Sequence, residues 1–440
     1  MAMDAPPQLR QSSWVTTTYH PTMKRLQAFK FALMPNGAQL RDMRRFAGSC
    51  RFVFNKALAL QQRNHESGKK FIGYLAMAKL LTEWRNGAET PWLKCAPVHP
   101  LQHALKDLER AYQNFFAKRA GFPRFRHKGG SESFRYPDAK QFEIDESNSR
   151  IKLPKLGWIR YRNSREILGT PKNITIKLSG GRCYASIQTE REVQPPCPTA
   201  ASAVGIDVGI ARFATLSNGS FVAPLNSFKK HQQRLARYQR RMSRKVKFSN
   251  NWKKAKLKVQ KVHTQIANAR RDFLHKSTTT ISKNHALVCI EDLKVRKMSR
   301  SSKGTSEQHG LRVRQKSGLN RAILDQGWAE FRRLLEYKTH WAGGMLVAVP
   351  AHHTSQTCPR CRHVAPANRR AQAQFRCVAC GYTAHADVVG AINVLERGLA
   401  LVSLRRGGLW PWSQDYDATS LCEAGTRRSD FARDSSCIAP

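Results

Sequence analysis

The stretch AVGIDVGIARFATLSNG, residues 203–219, reads as an apolar strand, a tight turn and a second strand, with a carboxylate inside the first apolar run. Val204, Ile206, Val208 and Ile210 flank Asp207 and bury that strand on one or both faces. An ionised carboxylate taken out of water needs a cation, a metal or a proton. Either Asp207 sits at a strand end, hydrogen-bonded to a turn, or the chain folds so that compensating charge is brought to it.

Two further acids raise the same question. In ALVCIEDL (286–293), Glu291 ends a buried apolar run, and Asp292 beside it points to the opposite face by the two-residue strand period. In HADVVGAINV (385–394), Asp387 opens a helix, where a carboxylate serves equally as a cap. Singly, each has an ordinary structural explanation. Together they stand on strand, strand and helix, the order in which an RNase H-like nuclease brings three acids to one end of a sheet. Three clustered anions require cations, and two divalent ions would bind both the attacking water and the leaving oxygen of a phosphodiester. Mg²⁺ suits such an all-oxygen ligand set.

Charge points to the same class of partner. Against 76 Lys and Arg stand 30 Asp and Glu, a formal net charge of +46. That excess repels itself unless a polyanion neutralises it, and nucleic acid is the expected polyanion. No apolar run reaches the ~18 residues of a membrane span. The N-terminus MAMDAPPQLRQSSWVTTTYHP lacks the apolar core of a signal peptide, so an intracellular location is expected.

Seven of the eleven cysteines are scattered singly, which argues against a disulfide framework. The other four form two C-x₂-C pairs, Cys358/Cys361 and Cys377/Cys380, fifteen residues apart. This is the spacing of a four-thiolate zinc site. With no open coordination position, one structural Zn²⁺ is expected to fold this lobe and take no part in chemistry.

Along the chain, KRLQAFKFALM (24–34) alternates as a strand and Pro35-Asn36-Gly37 ends it. Helical spacing follows over 38–62, then over 71–86 and 99–119. GFPRFRHKGGSESFRYP (121–137) reads as a basic loop, and five short strands are expected between 141 and 190. VQPPCPTA (193–200) reads as a linker. Residues 227–283 form a basic helical region with one apolar stripe, Ala255, Val259, Val262, Ile266, Ala269 and Phe273. A polar flexible loop is expected over 299–318, a single amphipathic helix over 319–344, a strand at 345–350, and no regular period after Gly398.

With these residues in hand, the chain resembles the TnpB or OrfB-type proteins of bacterial insertion sequences, a family related to type V CRISPR effectors. The likeness runs over roughly 24–397 in separate stretches, among them GSCRFVFNKALAL, LQHALKDLERAYQNFFAKRAGFPRFRHK, VGIDVGIARFATLSNG, ARRDFLHKSTTTISKNHALVCIEDL, GLNRAILDQGWAEFRRLLEYK, SQTCPRCRH and HADVVGAINVLERG. The resemblance implies a multidomain α/β fold. A flexible N-terminus (1–22) would precede a wedge β domain (23–37 and 123–195) interrupted by a helical, helix-turn-helix-like recognition domain (38–122). An RNase H-like (RuvC) nuclease domain (196–350 and 385–397) would carry a zinc-ribbon-like insertion (351–384), followed by a disordered tail (398–440).

It also implies RNA-guided cleavage of double-stranded DNA. The guide would be transcribed from the element's own end, and a short adjacent motif would be read in the DNA. Asp207, Glu291 and Asp387 take the three catalytic, Mg²⁺-binding places, and Cys358, Cys361, Cys377 and Cys380 the zinc places. Two positions depart from the pattern: Val389 where many relatives have Asn, and Arg362 where they often have Gly.

The basic segments fit recognition delegated to base pairing. Arg240, Arg241, Lys253 and Lys254 lie in the runs RLARYQRRMSRKVK and NNWKKAKLKVQK, which suit an RNA–DNA duplex held by its backbone or, more plainly, two solvated helix faces. Arg124, Arg126 and Lys128 interleave with aromatics, as for bent or single-stranded nucleic acid. Gln102 starts the helix that relatives use near the adjacent motif. Two other classes remain open: a non-catalytic guide-bound DNA binder, and a guide-free DNA-binding transposition accessory protein. The sequence leaves the oligomeric state open.

Overall fold

The computed structural model describes residues 22–405 apart from 130, 131, 197 and 199. The N-terminal segment up to residue 21 and the tail from 406 lie outside the described residues. The chain divides into two compact units, 1–195 and 196–440, with the Pro-rich linker segment at the division.

The first unit begins with β1 (Met23–Met34), whose Phe29, Phe31 and Leu33 turn inward by the period of two. Asn36 then caps α1 (Gly37–Glu66) in a reciprocal box. Its Oδ1 accepts from Gln39 N at 2.8 Å, and Gln39 Oε1 accepts from Asn36 N at 3.0 Å. α2 (Tyr74–Asn86) and α3 (Val98–Phe116) follow. The remaining strands are β2 (Glu132–Tyr136), β3 (Glu143–Asp145), β4 (Arg150–Leu153), β5 (Gly157–Tyr161), β6 (Thr170–Ser179) and β7 (Arg182–Val193).

All pair antiparallel in one sheet, ordered β2-β6-β7-β1-β5-β4-β3, so the strand before the helices lies between two that follow them. The expected basic loop 121–137 ends in a real strand, β2, because Phe134 and Tyr136 alternate into the core. The helices do not stand apart as a domain of their own. Met43, Phe46, Phe54, Leu101 and Leu105 share one core with Phe29, Phe31, Ile174 and Ile187 of the sheet.

The second unit opens with β8 (Ala203–Val208), β9 (Ala214–Leu216) and β10 (Phe221–Val222). A helical hairpin follows, α4 (Ser227–Ser243) and α5 (Asn250–Asn284), then β11 (Leu287–Glu291) and the short α6 (Val295–Met298). Next come α7 (Val313–Gln326), α8 (Trp328–Trp341) and β12 (Met345–Val349). The hairpin β13 (Gln374–Arg376) and β14 (Thr383–His385) leads directly into α9 (Ala386–Arg405). The sheet order is β10-β9-β8-β11-β12, with β8, β11 and β12 parallel.

Alternation sorts the sheet into two faces. Val204, Ile206, Val288 and Ile290 pack against Leu274, Ile323, Phe331 and Leu334 of α5, α7 and α8. Leu287 and Cys289 pack against Val394, Leu395 and Val402 of α9.

Four expectations are corrected. The single helix 319–344 is two helices, broken at Gly327, whose φ of +76° is a left-handed conformation that side chains rarely adopt. The flexible loop 299–318 already becomes helix at Val313. The last helix does not end near 397 but runs to Arg405, because Leu399 and Val402 keep its buried face. Of the apolar stripe, Val259, Val262 and Ile266 are core, whereas Ala269 is exposed. Among the described residues, no helix is long and apolar enough to cross a membrane.

Candidate nuclease site and zinc lobe

The period of two that buries Ile206 and Ile290 on one face of the sheet turns Asp207 and Glu291 to the other, toward α9. The parallel register pairs Ile290 with Ile206, so Glu291 lies beside Asp207 at the carboxyl ends of adjacent strands. Asp292, one residue on, points away and is held by Lys294 and by Arg332 of α8. Its carboxyl is lowered by those two hydrogen bonds.

Two glycines let α9 reach the sheet. A Cβ on Gly205 would lie 2.0 Å from the Ala391 carbonyl oxygen and 2.7 Å from Leu395 N, so only glycine lets β8 and α9 meet backbone to backbone. A Cβ on Gly390, one turn past Asp387, would stand 3.2 Å from Asp207 Oδ2. The first turn of α9, with Asp387, is therefore set against Asp207.

The three acids feel one another. Burial, then Glu291, then Asp387, push the Asp207 carboxyl up to about 7. Burial also raises Glu291, which is 9% exposed, against the hydrogen bond from Thr354 and the charges of Arg397 and Arg369. Asp387 Oδ1 lies 3.4 Å from an Arg369 guanidinium nitrogen, and its amide donates to His385 Nδ1 at 3.2 Å. The carboxylates are not drawn into one tight cluster. Among the described residues, only the four cysteines bring all their ligand atoms within 4.8 Å of one another. Thr354 engages Glu291, and Arg369 engages Asp387.

Those cysteines form the second centre. Cys358 and Cys380 sulfurs are 3.6 Å apart, and Cys361 and Cys377 sulfurs 3.5 Å. Both separations are far beyond the ~2.0 Å of a disulfide. They approach the ~3.8 Å edge of a tetrahedron of thiolates at about 2.3 Å from zinc. The set fits Zn²⁺.

Two similar turns build it. Arg362 N donates to Cys358 O at 2.9 Å, and Gly381 N to Cys377 O at 3.1 Å. Both turns place the residue after the second cysteine at positive φ, +62° for Arg362 and +71° for Gly381. Arg362 thus occupies a position that favours glycine, and its guanidinium pairs with Glu396 on α9. Asn368, almost fully buried, ties the lobe together by donating to Gln356 O and His363 O and accepting from Val378 N.

Thr354, Arg369, Asn393 and Arg397 around the acids escaped sequence reasoning. Asn393 and Arg397 lie in the expected last helix, but no residue type or spacing marks any of the four, and only the fold brings them near Glu291 and Asp387.

The other sequence candidates fall in both units. In the first, Gln102 is half-buried on α3, and Arg124 and Lys128 are exposed. Arg126 is used internally. Its guanidinium lies 3.8 Å from the Phe54 ring centre and donates to Asp107 at 3.2 Å, and Asn55 brackets its backbone. In the second, Arg240 and Arg241 on α4 and Lys253 and Lys254 on α5 are exposed. Between Asp207 and Asp272 the sequence contains no acid. Lys253 and Lys254 sit near the amino end of α5, where cations oppose the helix dipole, so they do not serve that helix.

Comparison with known proteins shows the family. A family model described as "Probable transposase" (OrfB_IS605) matches 186–302, one described as "Cas12f1-like, TNB domain" matches 328–394, and one described as "Helix-turn-helix domain" (HTH_OrfB_IS605) matches 23–70. Residues 23–70 in fact comprise one strand and one long helix. The Escherichia coli (strain K12) protein named "Putative RNA-guided DNA endonuclease InsQ" is 59% identical over 381 residues, 87% of this chain and 94% of that protein. A Streptomyces pristinaespiralis protein named "Putative RNA-guided DNA endonuclease" is 34% identical over 382 residues, 85% of this chain and 90% of that protein. A solved Cas12f1–sgRNA–target DNA complex aligns over 84% of this chain and 99% of its own, at 14% identity and a TM-score of 0.32. The chain belongs to the OrfB/TnpB family of insertion-sequence proteins, related to the type V effectors.

Proposed function

We propose that this chain is an insertion-sequence-encoded, RNA-guided DNA endonuclease of RuvC type. In this reading Asp207, Glu291 and Asp387 hold two Mg²⁺ ions, and Cys358, Cys361, Cys377 and Cys380 hold one structural Zn²⁺. The names of its relatives favour this function. The observation that carries it is the approach of three acids, from the ends of two parallel strands and the first turn of a helix, where burial and the charges of Glu291 and Asp387 raise Asp207. All-oxygen donors of this kind fit Mg²⁺.

Bound there, divalent ions would supply the Lewis acidity that activates water and stabilises the leaving oxygen of a phosphodiester. The chain's own part is to hold the ligands still. Asp207 and Glu291 are fixed by strand backbone, and Asp387 by a helix seated on Gly205. Arg369 meets the charge of Asp387. Arg240, Arg241, Lys253 and Lys254 offer phosphate contacts along an acid-free helical hairpin, while base pairing with the guide supplies sequence. Arg124, Lys128 and Gln102 serve the nucleic acid from the first unit, Gln102 near the adjacent motif. Arg126, already paired, contributes there by shaping its loop. The guide RNA is a transcript of the element's end, and the target is double-stranded DNA in the bacterial cytoplasm.

The test is to purify the protein from cells carrying its element and sequence the RNA that comes with it. The complex is then given a plasmid matching that RNA, with Mg²⁺. Cleavage only with matched target and divalent ion is expected. Protein free of RNA that still binds DNA tightly would favour a guide-free accessory role and refute this one.

A further inference from the structure

Residues 350–357 join β12 to the zinc lobe and run beside the acid site. α9 holds this segment at four backbone carbonyls. Asn393 Nδ2 donates to Thr354 O at 2.7 Å and to Thr357 O at 2.8 Å. Arg397 donates to Pro350 O at 3.0 Å and to His352 O. Asn393 is 2% exposed and buries its own Oδ1 without a partner, so both amide hydrogens are committed to the clamp.

Held in this way, Thr354 donates its hydroxyl to Glu291 Oε1 at 2.6 Å, with both residues buried. The competing acceptor, Ala351 O, is 3.3 Å away. A hydroxyl has one hydrogen, and the shorter bond to a charged oxygen takes it. One oxygen of Glu291 is thereby pinned, which fixes the plane of the carboxylate.

We infer that Thr354 is a positioning residue for Glu291. Its hydroxyl holds the carboxylate in the orientation that accepts a divalent cation, and the clamped 350–357 segment joins the helix bearing Asp387 to the strand bearing Glu291. The strand and the helix that bear these acids are thus tied through one short segment. This rests on the nuclease reading of the three acids, and its failure is separable from failure of that reading.

The experiment uses the full protein–RNA complex with Thr354→Val, which keeps shape and removes the donor, and Thr354→Ser, which keeps the donor. Three quantities are read: zinc content, Mn²⁺ binding by titration with paramagnetic-resonance detection, and the Mg²⁺ dependence of plasmid cleavage. Thr354→Val should retain zinc, bind Mn²⁺ about tenfold or more weakly, and shift its Mg²⁺ midpoint upward to match, as for groups that orient metal ligands. Thr354→Ser should stay near wild type on both. A wild-type Mn²⁺ isotherm for zinc-loaded Thr354→Val overturns the inference. Should Thr354→Val lose zinc, Thr354→Ala carries the same test, and loss of zinc in both also overturns it by making Thr354 a residue of the lobe's fold. If the wild type itself shows neither Mn²⁺ binding at the acids nor cleavage, the nuclease reading has failed instead.

Discussion

The cysteine cluster and the three acids are built on opposite plans. The cysteine centre is assembled from one short stretch, by two turns of the same design, and its four sulfurs already stand where zinc needs them. The acid centre is assembled from three elements scattered over some 180 residues of sequence, and its carboxylates stay apart, one of them pushed to about 7. A thiolate site that stabilises a lobe gains from being complete. The acids are held by rigid backbone, and burial with the charges of Glu291 and Asp387 makes an ionised Asp207 costly to stability there.

The largest expected effect lies in the cysteine centre. Cys377→Ser should lose its zinc, and the lobe should lose order, because structural zinc supplies about 10 kcal/mol or more in small four-ligand sites. Metal analysis and proteolysis within 351–384 read this out. Full zinc in the variant would break the comparison at once.

Next is the cost of an ionised Asp207, set first by burial and then by the charges of Glu291 and Asp387. The folded Asp207 is raised above its unfolded value near 4, so between about pH 4 and 7 the folded state binds more protons than the unfolded one, and stability falls as pH rises through that window. Asp207→Asn should therefore raise the melting temperature of zinc-loaded, Mg²⁺-free protein above pH 7. The gain should be a few kcal/mol, since each tenfold change in proton affinity is worth about 1.4 kcal/mol. The advantage should fade toward pH 4. An equal melting temperature at pH 8 would mean that neither burial nor the neighbouring acids penalise the Asp207 charge.

Gly205→Ala sharpens the backbone half of the comparison. Its methyl meets the Ala391 carbonyl, and overpacking of this kind costs about 1–3 kcal/mol. Zinc content should survive while cleavage falls, since the helix bearing Asp387 moves off β8. Smallest is the double substitution Lys253→Ala with Lys254→Ala. It should leave both centres intact and reduce the salt slope of nucleic-acid binding by about two, at roughly one per phosphate contact.

The same contrast explains what was legible in the sequence. Cys358-x₂-Cys361 and Cys377-x₂-Cys380 are local, so spacing alone located them. Asp207 and Glu291 could be read because each interrupts an apolar run at the end of a strand, and the strand period separated Glu291 from Asp292. Asp387 needed the order of elements, since a first-turn acid is common. Thr354, Asn393 and Arg397 were invisible, because Thr354 meets Glu291 across 63 residues of sequence and the other two act on backbone carbonyls.

Among the folds of the segments, helices with long apolar stripes were read well. The break at Gly327 was missed because the apolar residues on either side continue one helical pattern, and only backbone angle distinguishes two helices from one. Arg126 misled for a related reason: a guanidinium beside aromatics reads the same whether it stacks on a base or, as here, on Phe54.

The central claim is that Asp207, Glu291 and Asp387 form one cation-dependent cutting site separate from the binding surface. The direct measurement sets Asp207→Ala beside wild type, each with its RNA, on one supercoiled target plasmid, reading cleavage with Mg²⁺ and binding to the same DNA without it. The account predicts cleavage lowered by at least ~10²-fold, the scale of misplacing reacting groups by an ångström. It predicts binding unchanged or slightly tighter, since affinity resides in cations and base pairing and one repelling charge is gone. Cleavage at the wild-type rate would contradict the catalytic assignment, and joint loss of binding and cleavage would make Asp207 a structural acid.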